Sequence, residues 1–199
     1  MNFLHKWLQR RVSPAGFERL SAAVLPWLAP LAWALLAVGA VWGLAFAPMD
    51  YQQKNSFRII YIHVPAAMLS MSIYVLLALA SLLFFVWRSR IAAFFARAAA
   101  PYGALMTAVA LATGAIWGKP TWGTFWTWDA RLTSELILLF LYLAYMLLQA
   151  SIEERDQADR LAAILAIVGV INIPIIHYSV LWWNSLHHGA TLFRTGGPS

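Results

Sequence analysis

Long stretches of this sequence contain no Asp, Glu, Lys or Arg, and this feature constrains the fold more than any other. The clearest stretch runs from Ile59 to Trp87. About 20 apolar residues are enough for a helix to cross the hydrocarbon core of a bilayer. Only 11% of the residues are charged, whereas soluble domains have about a quarter. We therefore predict an all-α fold, a polytopic transmembrane helical bundle that forms one integral membrane domain over residues 1–199.

Five spans are visible in the apolar pattern. Pro65 predicts that the second regular helix begins near it, and Pro174 is expected to kink or end the fifth. The small residues around Phe46 resemble a signal-peptide cleavage site, but the apolar stretch before them is too long for a signal peptide, so an uncleaved first helix is expected. The predicted spans are about 23–46, 65–87, 98–117, 132–150 and 161–178.

The distribution of positive charge predicts the orientation. The N-terminal arm and the alternate connections carry nine Lys and Arg residues, and the opposite side carries five. By the positive-inside rule, the N-terminus is cytoplasmic. Residues 50–65, residues 118–131 and the C-terminal tail then share the outer face. The basic residues form no continuous stripe, so we expect no nucleic acid partner.

The predicted outer loop, residues 118–131, is unusually rich in tryptophan, and a further tryptophan directly precedes it. One explanation is an aromatic belt, since Trp is common at membrane interfaces. The other is a stacking platform for a large planar ligand, because glycines within the loop allow a backbone to approach a flat molecule. Composition alone favours neither. The four indoles are those of Trp117, Trp122, Trp126 and Trp128.

Four of the five histidines map to the predicted outer side. Neutral imidazole is a common ligand of haem iron, and two imidazoles can hold it from opposite faces. The chain has no cysteine, so covalent attachment through a C-x-x-C-H motif is excluded and the haem would be non-covalent, of the b type. We select His63 and His187 as the iron ligands, with His188 as the weaker alternative to His187, and expect His177 to be structural.

Haem propionates require cations, and three are available on the predicted outer side: Arg58, Lys119 and Arg131. Each of them is also explained as an ordinary charge at a membrane edge, and Arg131 as an i,i+4 partner of Glu135. Asp129 is the predicted N-cap of the fourth span, and we include it among the haem-binding residues.

Three segments carry a resemblance to a known family. The run WGKPTWGTFWTWDARLTSE resembles the tryptophan-rich signature of haem-handling membrane proteins. Together with FAPMDYQQKNSFRIIYIHVPAAM and INIPIIHYSVLWWNSLHHG, it is similar to the haem exporter C family of the cytochrome c maturation system. The likeness covers nearly the whole chain from about Trp42 to Gly189.

The resemblance implies a protein of the bacterial inner membrane that holds haem at the periplasmic face, with His63 and His187 matching the family's two external histidines. It implies delivery of haem to a periplasmic chaperone, and work with an ATP-binding cassette transporter pair and a small single-span subunit. The family usually has a sixth span after the second histidine, and this sequence ends 12 residues after His187 without one.

The predicted function is therefore haem binding and transfer without bond-making chemistry on a released substrate, so we expect no enzymatic activity. Two other function classes compete with it. A b-type electron-transfer subunit also uses paired histidines, although usually inside facing spans. A permease or scaffold subunit of a transporter would need ionisable groups at bilayer depth, and Glu135 is the only acidic residue near a span interior.

Overall fold

The computed structural model describes residues 14–182, and these residues form helices and short connections. Five segments are long and apolar enough to cross a membrane, as the apolar runs predicted. The fifth crossing segment consists of two helices. In chain order the helices are α1 (Pro14–Val41), α2 (Ile60–Trp87), α3 (Arg90–Trp122), α4 (Ala130–Ser151), α5 (Arg155–Gly169) and α6 (Asn172–Trp182).

The bundle core is formed by α2 to α6, with α2 against α3 as the most extensive pairing. At its centre, the rings of Tyr74 on α2 and Tyr142 on α4 meet edge to face, with centroids 5.0 Å apart. Both tyrosines are fully buried. Gly103 on α3 lies directly against the Tyr142 ring, where any side chain would collide. Small residues of this kind allow membrane helices to approach closely.

The first helix contributes little to this core. None of the residues from Ala15 to Val41 is buried within the chain. The helix is attached at its C-terminal end instead, where the π-helical turn Trp42–Phe46 follows it and Gly43 packs against Tyr61. α1 is therefore held at one end and presents most of its apolar surface outward.

The starts of the second and third helices differ from the sequence-based prediction. The second helix begins at Ile60 after the 3-10 turn Asn55–Ile59, so Pro65 lies inside it and does not start it. The third begins at Arg90 and therefore includes Arg97, which was expected in a connection. Neighbouring helices in a membrane bundle can satisfy the backbone groups that an internal proline leaves without a partner.

The last crossing segment breaks at residues 170–171, in agreement with the predicted kink or end, because in a continuous helix Pro174 could not donate to the carbonyl oxygen of Val170. α5 ends at Gly169, and α6 starts at Asn172. Pro174 consequently lies in the first turn of α6, where a missing backbone N–H costs little because that group has no intrahelical acceptor.

Candidate functional site

The candidate site is at the end of the bundle where α2 begins, α3 ends and α4 begins. We call this the tryptophan end and define it by His63, Trp117 and residues 123–131. His63 was expected just before the second helix, but it lies in the first turn of α2 and is half-buried. Its Nδ1 atom lies 3.0 Å from the carbonyl oxygen of Ala110 and 3.1 Å from the hydroxyl oxygen of Thr113, both on α3.

Trp117 joins three parts of this end. Its ring is edge-on to the His63 ring, with centroids 5.8 Å apart and planes at 74°. A second edge contact is made to Phe57, and the indole N–H donates to the side-chain oxygen of Gln53 at 2.7 Å. The indole is thus fixed between α2, α3 and the connection before α2. Trp117 is therefore engaged with His63, Phe57 and Gln53, and it offers less open indole surface to a planar ligand than the predicted stacking platform requires.

The predicted loop 118–131 is shorter than expected, because α3 continues through Gly118 and Pro120 to Trp122. The helix ends at Gly123, whose φ of 80° is the left-handed conformation that glycine adopts readily at helix C-termini. The Gly123 amide donates to the carbonyl oxygen of Lys119 at 3.0 Å. Residues 123–129 therefore form the non-helical part of the site.

Trp126 and Trp128 form a pair within this short loop. Their rings meet edge to face with centroids 5.4 Å apart. Trp126 is half-buried, whereas Trp128 is 77% exposed. Within residues 14–182, the buried indole nitrogen of Trp126 has no hydrogen-bond partner. Trp128 offers the most open indole face among the four, whereas Trp122 at the end of α3 is half-buried.

An open groove of about 600 Å³ lies beside Trp128, between the start of α4 and α6. Asn172, the first residue of α6, lines the groove and donates from its side-chain nitrogen to the carbonyl oxygen of Ser134 at 2.8 Å. The exposed indole is therefore continuous with a depression between two helices. The groove is lined by Trp128, Asp129, Ala130, Thr133, Ser134, Ile137, Asn172 and Ile175.

Asp129 is the N-cap of α4, as predicted, and accepts a hydrogen bond from the Leu132 amide at 2.7 Å. This cap fixes the first turn of α4, which carries the half-buried Arg131. One turn further, Glu135 is 8% exposed and accepts a hydrogen bond from the Ser70 hydroxyl at 2.8 Å. That bond fastens α4 to α2, the helix that carries His63.

The other two predicted propionate-binding cations differ in how they are engaged. Arg58 is half-buried and donates from its guanidinium to the carbonyl oxygens of Leu44 and Ala47, at distances between 2.7 and 3.1 Å. It therefore anchors the end of the first span. Lys119 is exposed, donates to the Gly123 carbonyl oxygen at 3.1 Å and lies 5.3 Å from the Phe125 ring centroid.

Of the other histidines predicted for the outer side, the structure describes one. His187 and His188 lie outside residues 14–182. His177 is on α6, is exposed, and makes an edge contact with Tyr178 at 4.8 Å between ring centroids. Among the described residues, the structure brings His63 and Trp117 together and places Trp126 next to Trp128.

Sequence reasoning missed several polar residues of this end. Gln53, Thr113 and Ser70 each pair with a residue that is far away in the chain, and no local pattern announces such pairs. Glu135 was expected to be the only acidic residue near a span interior, and its isolation in an apolar run was the available signal of its buried position. The expectation was wrong for Asp159, which is also buried, because the fifth crossing segment begins at Arg155.

Comparison with known proteins gives one family throughout. The model of a family described as CcmC, Heme exporter protein C, matches residues 7–199. A protein named Heme exporter protein C from Escherichia coli (strain K12) is 51% identical over 186 residues, which are 94% of this chain and 76% of that protein. Its Haemophilus influenzae counterpart is 50% identical over 194 residues, 98% of this chain and 79% of the relative. The protein of that name from Bradyrhizobium diazoefficiens is 50% identical over 187 residues, which are 94% of this chain and 71% of that protein.

Proposed function

Since this chain belongs to the heme exporter protein C family, as the resemblance predicted, we propose that it holds haem at the tryptophan end and hands it to a periplasmic haem chaperone. The chain is a multi-pass membrane component of haem export and cytochrome c maturation. The proposal adds three steps: the chain ligates haem, presents it at the membrane surface and transfers it to the chaperone.

The single observation that carries the proposal is the position of His63. A half-buried imidazole is held beside Trp117 at the end of the bundle where an exposed tryptophan and a groove also lie. Imidazole nitrogen is the donor that haem iron takes most often in proteins. An exposed indole offers a flat apolar face to a porphyrin. The residues present therefore fit an iron porphyrin as cargo.

The predicted site residues have different roles in this proposal, and Trp117 holds the His63 ring in place. His63 supplies one axial ligand, and His187 supplies the second. Trp128 packs against the macrocycle, with Trp126 behind it and Trp122 at the end of α3. Arg131 and Lys119 attract the propionates, because a charge-assisted hydrogen bond to a carboxylate is stronger than a neutral one. Arg58 contributes through the anchored end of α1, and Asp129 through the first turn of α4.

The proposed setting is the periplasmic face of the bacterial inner membrane, with the N-terminus in the cytoplasm. Haem is bound there non-covalently, because ligation by two imidazoles requires no covalent attachment. Binding of this kind is reversible, as transfer to a chaperone demands. An ATP-binding cassette transporter pair and a small single-span subunit are the proposed membrane partners, and membrane lipid surrounds the outward surface of α1.

An absorption spectrum tests the proposal. Detergent-purified protein titrated with haem is expected to develop the Soret band of imidazole-ligated iron. The His63→Ala and His187→Ala variants are expected to lose that band or weaken binding strongly, since each lacks one axial ligand. His177→Ala is the matched control, because His177 is exposed on α6 and its ring contact is with Tyr178.

The result that rejects the proposal is equally clear. If His63→Ala and His187→Ala bind haem with the affinity and spectrum of the unchanged protein, neither histidine is a ligand and the function must lie elsewhere. Delivery is tested separately, by measuring whether haem-loaded protein passes its haem to a purified periplasmic chaperone.

A solute-conducting subunit is the second candidate, and the buried Glu135 favours it. A carboxyl group that is 8% exposed inside an apolar bundle is the kind of group that lines translocation pathways. Vesicles reconstituted with this chain and its membrane partners would distinguish the two. Haem uptake that depends on Glu135 would support conduction, whereas haem binding without uptake supports the holding function.

A further inference from the structure

We propose that three residues of α3, namely Ala110, Thr113 and Gly114, form a socket that sets the tautomer of His63 and directs its Nε2 atom toward the iron. We call this set the α3 socket. The inference rests on the proposed function, because it assumes that His63 is a haem ligand. It adds positioning residues that lie outside the tryptophan-rich segment.

The Ala110 carbonyl determines which ring nitrogen carries the hydrogen. Nδ1 of His63 lies 3.0 Å from this oxygen, which has no hydrogen to donate. The approach is attractive only if Nδ1 itself carries a hydrogen. In the neutral imidazole, the electron pair that can bind a metal is then on Nε2.

Thr113 reinforces the same tautomer. Its hydroxyl lies 2.6 Å from the carbonyl oxygen of Val109, an acceptor four residues earlier in α3, so the single hydroxyl hydrogen is directed into the helix. The oxygen of Thr113 lies 3.1 Å from Nδ1 of His63 and accepts a share of the same N–H. Two oxygen atoms on one helix thus face one ring nitrogen.

Gly114 makes the close approach possible. A Cβ atom at this position would lie 3.0 Å from Cε1 and 3.5 Å from Nδ1 of His63. Contacts of 3.0 Å are tighter than ordinary packing, so a methyl group would displace the ring from its present position against α3. Trp117, one helical turn further along α3, limits ring rotation by its edge contact.

The socket has a chemical consequence for the proposed ligand. A metal-binding histidine usually donates its other ring N–H to an oxygen, which fixes the ring orientation and makes the ligating nitrogen a stronger electron donor. The α3 socket supplies that partner before haem arrives. The iron then meets an imidazole that needs neither rotation nor a change of tautomer.

The first test uses the haem-free protein. With 15N-labelled histidine, NMR spectra of the detergent-solubilised chain distinguish a protonated Nδ1 from a protonated Nε2, and the His63→Ala spectrum assigns the signals. We expect neutral His63 to carry its hydrogen on Nδ1. A neutral ring with the hydrogen on Nε2 would overturn the inference without reference to haem.

The second test measures haem affinity and the reduction potential of the bound haem. Thr113→Val keeps the shape of the side chain and removes one acceptor of the His63 N–H. We expect haem affinity to fall about tenfold, which is the lower limit for losing such a partner of a metal-binding histidine. We also expect the reduction potential to rise, because the imidazole becomes a weaker electron donor. Gly114→Ala is expected to act in the same direction, because the ring must shift. Thr113→Ser should restore both quantities, since it returns the hydroxyl.

Two matched controls come from the same chain. Thr107→Val makes the identical change in α3, where the Thr107 hydroxyl donates to the Gly103 carbonyl oxygen at 2.7 Å and plays no part in the socket. Gly39→Ala adds a methyl group to a helical glycine with nothing within 4 Å. Both are expected to leave haem affinity and potential unchanged.

The outcomes separate the two proposals. If His63→Ala abolishes haem binding while Thr113→Val and Gly114→Ala leave affinity and potential as they were, the socket is rejected and the ligand assignment stands. If His63→Ala itself has no effect, the proposed ligand is rejected.

Discussion

The two ends of the helical bundle use polar groups in different ways. At the end opposite the tryptophans, which we call the arginine end, Arg97 on α3 donates to both carboxylate oxygens of Asp159 on α5, at 2.8 and 2.9 Å. Gln149 on α4 donates to the same carboxylate at 2.9 Å. Three helices are thereby joined through one carboxylate that is only 7% exposed.

At the tryptophan end, the polar contacts hold side chains in place but leave aromatic faces open. Within residues 14–182, the Trp126 indole nitrogen and the Thr127 hydroxyl are buried without a partner at the tryptophan end, and the Ser81 hydroxyl and the Gln149 side-chain oxygen are left so at the arginine end. The two ends differ instead in exposure, because Trp128 presents a largely exposed indole at the tryptophan end. The arginine end therefore stabilises the bundle, and the open aromatic face at the tryptophan end agrees with the proposal that haem binds there.

The largest expected effect concerns the arginine end. Asp159→Ala leaves the Arg97 guanidinium, 21% exposed, without its counter-ion. Removing one partner of a buried ion pair costs about 3 kcal/mol of unfolding free energy, because the remaining charge stays desolvated. Thermal unfolding in detergent measures the loss, and haem titration of the folded protein should show unchanged affinity.

Glu153→Ala is the control for this variant, because Glu153 is exposed near the start of α5. It removes the same negative charge from the same end and should leave stability close to that of the unchanged protein. The comparison of the two ends would fail if Asp159→Ala weakened haem binding in proportion to its loss of stability.

The second effect concerns the tryptophan end, where haem affinity should fall while the unfolding free energy stays unchanged. Trp128→Ala removes an indole that is 77% exposed, so unfolding free energy should not change. Haem affinity should fall about tenfold, or ~1.4 kcal/mol, which is the upper range for one aromatic contact. Spectroscopic haem titration measures this loss.

Trp27→Ala is the matched control, since Trp27 on α1 is 80% exposed. If both variants bind haem equally well, exposure of Trp128 reflects an aromatic belt and not a binding face. If Trp128→Ala lowers the unfolding temperature, its indole is part of the packing and the division between the two ends is less sharp.

The membrane spans were predictable from the sequence because their signal is local. A charge-free run of sufficient length has few alternatives to a helix in a bilayer, since every backbone group must find its partner within the segment. The helix ends were less predictable. Gly118 and Pro120 were interpreted as helix breakers, yet α3 continues to Trp122. Gly118 is needed for close packing instead, because a side chain there would press on the Trp122 ring and the backbone at Thr124.

The candidate site was only partly predictable. The residue types pointed to His63 and the tryptophans, and the N-cap role of Asp129 followed from its position before an apolar run. The contacts that hold them were not predictable, because Gln53 to Trp117 and Ser70 to Glu135 connect different helices or connections far apart in the chain. The spacing of apolar residues in a sequence shows which side of a helix is buried, but it does not show which residue of another helix packs against that side.

The smallest expected effect comes from two N-caps at opposite ends of the bundle. Asp129 caps α4 at the tryptophan end with a 2.7 Å contact to the Leu132 amide, and Ser89 caps α3 at the arginine end with a 3.4 Å contact to the Ala92 amide. Asp129→Ala should cost about 1 kcal/mol of unfolding free energy and Ser89→Ala about 0.5 kcal/mol, in line with their geometry.

Only the first of these caps should matter for haem. Fraying of the first turn of α4 loosens Arg131, so Asp129→Ala is expected to weaken haem binding about threefold, or ~0.6 kcal/mol, whereas Ser89→Ala leaves it unchanged. Asp129→Asn keeps the capping oxygen and should retain most of the stability. Equal losses of haem affinity in Asp129→Ala and Ser89→Ala would mean that binding follows overall stability, because a cap far from the ligand would then matter as much as the one beside it.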